Sequence, residues 1–113
     1  MKKHKLTILI DLDGVLNQYN GKFDENNIPK IKYGAKEFLE KLSLKCELYL
    51  FTTRNLLQAT KWLIENKIDK YFTDVTNIKI PCYLFIDDRT ICFKGDYSHA
   101  LEEIENFKTY WKN

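Results

Sequence analysis

Asp11 and Asp13 close the run Leu6-Thr-Ile-Leu-Ile-Asp-Leu-Asp-Gly-Val-Leu16. An apolar stretch that reads as a strand ends in two carboxylates two positions apart, and glycine follows. Side chains alternate along a strand, so positions i and i+2 share a face. Two acids on one face repel each other unless a cation or a shared proton relieves them. A hard divalent ion with oxygen ligands, Mg²⁺ above all, relieves both. One carboxylate is then available as a nucleophile, a combination that points to phosphate chemistry.

Three further groups lie beside predicted strand ends. Thr52 and Thr53 directly follow Cys46 to Phe51. A hydroxyl there can bond a phosphoryl oxygen, and the N-terminus of the next helix adds N–H donors. Thr53 or Asn55 could equally cap that helix, and the two roles can coexist. Arg54 belongs with them, because Arg is the usual bidentate phosphate clamp and only Arg54 and Arg89 occur in this chain. Lys79 precedes the next apolar run, with Pro81 stiffening its turn; it gains meaning only beside the other groups. Asp87 and Asp88 follow Phe85-Ile86 and supply the further oxygens an octahedral Mg²⁺ needs.

The remaining candidates are weaker. His4 and His99 have no Cys or His partner nearby in sequence and read as surface residues. Glu102, Glu103 and Glu105 read as a solvated helix face. Asp96 either caps the last helix with Ser98 or lies near the site. No P-loop or dinucleotide-binding glycine fingerprint occurs, which argues against Walker-type NTP hydrolysis and against NAD.

These groups require an alternating scaffold. Leu6 to Ile10 reads as a strand buried on both faces. Ala35, Phe38, Leu39 and Leu42 fall at helical spacing. Cys46 to Phe51 is a second strand, and a helix runs from about Leu56 to Asn66. Tyr71 to Val75 and Cys82 to Ile86 read as the third and fourth strands, and Ile91 to Phe93 as a short fifth. Ala100, Ile104, Phe107 and Trp111 place a last helix over about Tyr97 to Trp111. This order predicts an α/β fold: a three-layer Rossmann-like sandwich on a mostly parallel, about five-stranded sheet. Ligands in such sheets sit at the carboxyl ends of the strands. Between Gly14 and Tyr33 no helical pattern appears, and Asn20-Gly21 signals a hairpin, so a flap is expected over about residues 16–24.

The chain has 113 residues, read as one domain over residues 1–113. A net charge of +2, from 18 basic and 16 acidic side chains, is too balanced to indicate specific nucleic-acid binding or an anionic membrane partner. Cys46, Cys82 and Cys92 form no CxxC pair and read as core or near-core thiols in a reducing compartment. Lys2, Lys3 and Lys5 are followed by too short an apolar run for a signal peptide, and no stretch is long enough for a membrane helix. The expected location is the cytoplasm.

The ordered set Asp11-Leu-Asp13-Gly-Val-Leu16, Thr52, Lys79 and Asp87-Asp88 resembles the four motifs of the haloacid dehalogenase-like (HAD) superfamily of phosphohydrolases. The match spans residues 6 to 93. Val75-Thr-Asn-Ile-Lys-Ile-Pro81 and Phe85-Ile-Asp-Asp-Arg89 look like a small-phosphatase branch, with Ile80 where that branch typically has a first proline. The resemblance implies Asp11 as the nucleophile that becomes an aspartyl-phosphate, and Asp13 as the acid and then the base. It implies Mg²⁺ held by Asp11, the Asp13 carbonyl and Asp87, with Asp88 assisting through water. Thr52 and Lys79 would hold the transferring phosphoryl group. The presence of Asp13 favours phosphate-ester hydrolysis over C–P or C–halogen cleavage. No cap domain fits the loops. The site would then take a bulky phosphorylated substrate, small-molecule conjugate or polymer end, or be completed by a neighbour in a homo-oligomer. Two other readings are a catalytically idle binding protein on the same fold and a receiver-like phosphoacceptor domain. The receiver reading is disfavoured because its adjacent acid pair comes first in the chain.

Overall fold

The computed structural model describes residues 5–112; Lys2, Lys3 and His4 lie outside that range. Four strands, β1 (Leu6–Asp11), β2 (Cys46–Phe51), β3 (Phe72–Thr76) and β4 (Leu84–Ile86), form one sheet in the order β3-β2-β1-β4. Every pairing is parallel. Helices α1 (Ala35–Ser43), α2 (Leu56–Glu65) and α3 (Tyr97–Glu105) accompany it.

The apolar runs build this sheet through their alternation. Ile8 and Ile10 of β1 and Leu48 and Leu50 of β2 point to one face. There they pack with Ala35 and Leu39 of α1 and Ala59, Trp62 and Leu63 of α2. Successive right-handed crossovers that step the same way place both helices on that face. Leu9 points to the other face, in register between Tyr49 and Phe85, and is fully buried. Each buried Leu or Ile contributes about 1.5–3 kcal/mol, so the sheet centre is a firm platform for its strand ends.

The chain runs outward from β1 through β2 to β3, then returns to β4 on the far side of β1. The topological switch point therefore lies between the carboxyl ends of β1 and β4, where open α/β sheets bind ligands. Asp11 ends β1, and Asp87 and Asp88 follow β4.

The elements depart from the sequence expectation in four places. The sheet has four strands, not five: Ile91 to Phe93 forms no strand, and Cys92 and Phe93 are exposed. Arg89 N–H closes a tight turn onto Asp87 Oδ1 at 2.9 Å, and three residues beyond it are too few to pair. Helix α3 ends at Glu105 instead of reaching Trp111. Asn106 stops it by donating from its backbone and its side chain to the Glu102 carbonyl. Helix α3 buries no side chain, so helix packing on the sheet rests on α1 and α2.

The loop after β1 is also not a hairpin over residues 16–24. Its ladder is wider, with a bridge between Asn17 and Ile31. Gln18 N–H donates to Lys30 O and Lys32 N–H to Leu16 O, both at 2.8 Å. Asn20 instead makes a local turn, accepting from Lys22 N–H at 3.2 Å. Finally, Cys92 is exposed, not near-core, while Cys46 and Cys82 are half-buried; all three are free. Among the described residues, no helix is long and apolar enough to cross a membrane.

Candidate metal and phosphate site

The two leading acids take different partners. β1 ends at Asp11, and the chain turns immediately, with Val15 and Leu16 N–H both donating to Leu12 O. Strand alternation therefore does not extend to Asp13. Asp11 instead faces Asp87 and Asp88, with a carboxylate oxygen from each lying within 4.8 Å of the others. Asp13 turns toward Arg54.

The Asp11 cluster is electrostatically unbalanced. Burial, then the charges of Asp87, Asp88 and Asp13, push the Asp11 carboxyl up to about 8. Asp87 is also raised, by burial first. Oδ1 of Asp88 is buried without a hydrogen-bond partner. An all-oxygen donor set with an orphaned acceptor and mutual repulsion fits a hard cation, and Mg²⁺ in particular. Gly14 makes this packing feasible. Its φ is +86°, and a Cβ there would lie 2.1 Å from Asp88 Oδ2.

Asp13 is held by a fork. Arg54 Nε donates to its Oδ2 at 2.8 Å and Arg54 Nη2 to its Oδ1 at 3.1 Å. Asn17 Nδ2 adds a third bond to Oδ1 at 3.0 Å, while Asn17 Oδ1 accepts from Gly14 N–H. Arg54 is only 4% exposed. Its Nη1 donates to the Asp24 carbonyl at 2.9 Å, and its guanidinium lies 4.5 Å from the Phe23 ring centroid. The loop after β1 is therefore fastened over Asp13 through Arg54. Arg54 was expected to bind phosphate; here its guanidinium is committed to Asp13 and the loop.

Thr52 is buried at the end of β2, and its Oγ1 accepts from Arg54 N–H at 3.1 Å. Its N–H donates to Thr76 O, which ties the turn to β3. Asn55, not Thr53, caps α2 by accepting from Gln58 N–H at 3.0 Å. Thr53 is exposed and lines a cleft of about 520 Å³ with Phe23, Glu25, Arg54 and Gln58. Lys79 is exposed and sits 5.8 Å over the Phe85 ring; among the described residues it makes no ion pair with the acids. Asp96 caps α3 by accepting from Ser98 N–H, and His99 lies 3.3 Å from Glu103 on the same helix.

The residues sequence reasoning missed are Tyr110 and Trp111. The chain after α3 turns back with Thr109 buried. Tyr110 Oη donates to the Gly14 carbonyl, and Trp111 Nε1 donates to Asp88 Oδ2. The indole also meets Tyr19 edge-on, with centroids 5.4 Å apart. No local signal could have revealed this, because Trp111 matched the helical spacing of the residues before it.

Comparison with known proteins adds to the fold alone. No family model matches the chain, and no curated protein matches it. A solved structure, described as that of a conserved protein coded by a locus from Bacteroides thetaiotaomicron, superposes with a TM-score of 0.62. It is 25% identical and covers 95% of each chain. The likeness extends the parallel α/β architecture over nearly the whole sequence, and that description names no activity.

Proposed function

We propose that the protein is a Mg²⁺-dependent phosphatase of the HAD-like kind, hydrolysing phosphate monoesters through Asp11. The observation that carries this reading is the meeting of Asp11, Asp87 and Asp88 oxygens within 4.8 Å at the sheet's switch point. Asp11, Asp87 and Asp88 would hold the cation, which when bound neutralises charge on the acids and on a phosphoryl group. An Asp11 oxygen would attack phosphorus as the ester oxygen departs. Asp13 would protonate that oxygen, then take a proton from the water that hydrolyses the aspartyl-phosphate. Arg54 and Asn17 orient Asp13 for both steps, and the hydroxyl of Thr52 remains free to donate to phosphate. The cleft beside Thr53 and Phe23 is where a phosphorylated small molecule or polymer end would seat its leaving group.

One second reading has a specific observation behind it. Arg54 occupies both Asp13 oxygens, and among the described residues Lys79 makes no ion pair with the acids. A cation-binding protein without turnover would tolerate both. Release of phosphate from p-nitrophenyl phosphate with added Mg²⁺, lost in Asp11→Asn, supports the phosphatase. Binding of Mg²⁺ without release from any member of a phosphosugar, nucleotide and phosphorylated-end panel supports the idle protein.

A further inference from the structure

The chain beyond α3 reaches the acid cluster from outside all four motif segments. Two hydrogen bonds tie its last aromatic residues to the site. Trp111 Nε1 donates to Asp88 Oδ2, Tyr110 Oη donates to Gly14 O, and Thr109 is buried behind them. The Trp111 ring also packs on the loop after β1: a Cβ at Gly21 would lie 2.9 Å from its Cζ3, and Tyr19 meets it edge-on.

A carboxylate has two oxygens, and a rotatable one can offer either. An indole N–H is a donor with no acceptor function. Its bond to Oδ2 therefore selects which Asp88 oxygen is spoken for. The other, Oδ1, is left buried and without a partner. Groups that lock a ligand's second atom set its orientation and its affinity for metal.

Resting on the phosphatase reading and its cation site, we propose that Trp111 is a positioning residue: it fixes Asp88 Oδ2 so that Oδ1 faces the cation, and it couples the loop after β1 to metal binding. Trp62, the other tryptophan, is buried in α2 and gives a constant background. Trp111 emission therefore reports on the site directly.

Isothermal titration of wild type and Trp111→Phe with MgCl₂ tests this. Phe keeps an aromatic ring but loses the N–H and the outer part of the indole that packs on Gly21, and the double variant below separates the two losses. The expected result is a Kd for Mg²⁺ about 10–100-fold weaker in Trp111→Phe. Asp88→Asn removes a ligand charge and should lose at least as much, with little further loss from Trp111→Phe in the double variant, since the oxygen that Trp111 positions is no longer a carboxylate ligand. Mg²⁺ should also change the wild-type emission but not that of Trp111→Phe. Equal Mg²⁺ affinity in wild type and a folded Trp111→Phe overturns the positioning role while leaving the cation site intact. Additive losses in the double variant overturn it too, since they assign Trp111 a merely structural effect. A wild type that binds no Mg²⁺ overturns the phosphatase reading, and this role with it. Should Trp111→Phe fail to fold, wild-type emission that is indifferent to saturating Mg²⁺ overturns the proposal by itself.

Discussion

Gly14 lies so close to Asp88 that a Cβ on it would stand 2.1 Å from Asp88 Oδ2, well inside contact distance. The turn that ends β1 and the turn that ends β4 interlock at this point, and the acid cluster forms around it. Asp88 cannot simply swing aside, because Trp111 holds the same oxygen.

Gly14→Ala should therefore damage both fold and site. The positive φ strains any other residue by roughly 1–3 kcal/mol. The displaced Asp88 should weaken Mg²⁺ binding by at least about tenfold. Thermal melts with and without Mg²⁺ separate the two effects: the metal-free Tm falls, and the Mg²⁺-induced rise shrinks.

Asp11 makes the metal-free protein sensitive to pH. Its carboxyl sits at about 8 against an ordinary 3.8, through burial and the neighbouring acids. Between these values the folded chain binds more protons than the unfolded chain, so stability falls as pH rises. Its contribution is full below about pH 4 and is lost as pH passes through about 8. In EDTA the Tm should decline from pH 5 to pH 8. Saturating Mg²⁺ should flatten that decline by replacing the proton. A Tm in EDTA that rises across this range would contradict the burial and repulsion assigned to Asp11.

Asp11→Asn replaces a carboxyl that must take up a proton to sit in this cluster at neutral pH with a group that is already neutral. The metal-free variant should melt higher than wild type at pH 7.5. It should also lose phosphate release altogether. Wild type in about a hundredfold excess of Mg²⁺ over Kd should gain about 2.7 kcal/mol; the variant should gain far less. Differential scanning calorimetry in both states reads all of this except turnover.

Arg54→Met breaks the fork on Asp13 and frees the loop fastened by Asp24 and Phe23. Removing one partner of a largely buried ion pair costs about 2–3 kcal/mol here, since Asp13 remains partly in contact with water. At about 4–8 °C per kcal/mol for a domain near this size, the Tm should drop by roughly 10 °C. Mg²⁺ affinity should change little, because Arg54 bonds none of Asp11, Asp87 or Asp88. If phosphate release rises in Arg54→Met, the fork restrains Asp13 instead of orienting it.

Local patterns made much of this legible. Apolar runs and helical spacings depend on residues within a few positions of one another, so β1, β2, α1 and α2 could be read directly. The acids, threonines and Lys79 could likewise be placed beside strand ends, and Asp11 with Asp87 and Asp88 at one edge of the sheet. The short elements misled, because three residues such as Ile91 to Phe93 carry too little pattern to say whether a partner strand exists. What only the tertiary structure decided were contacts between distant positions: Arg54 on Asp13, Lys79 over Phe85, and Trp111 on Asp88. Each depends on where a turn releases the chain, and no periodicity records that. Trp111 matched a helix by spacing, yet burial of Thr109 and an acceptor at Asp88 drew it out of line and into the site.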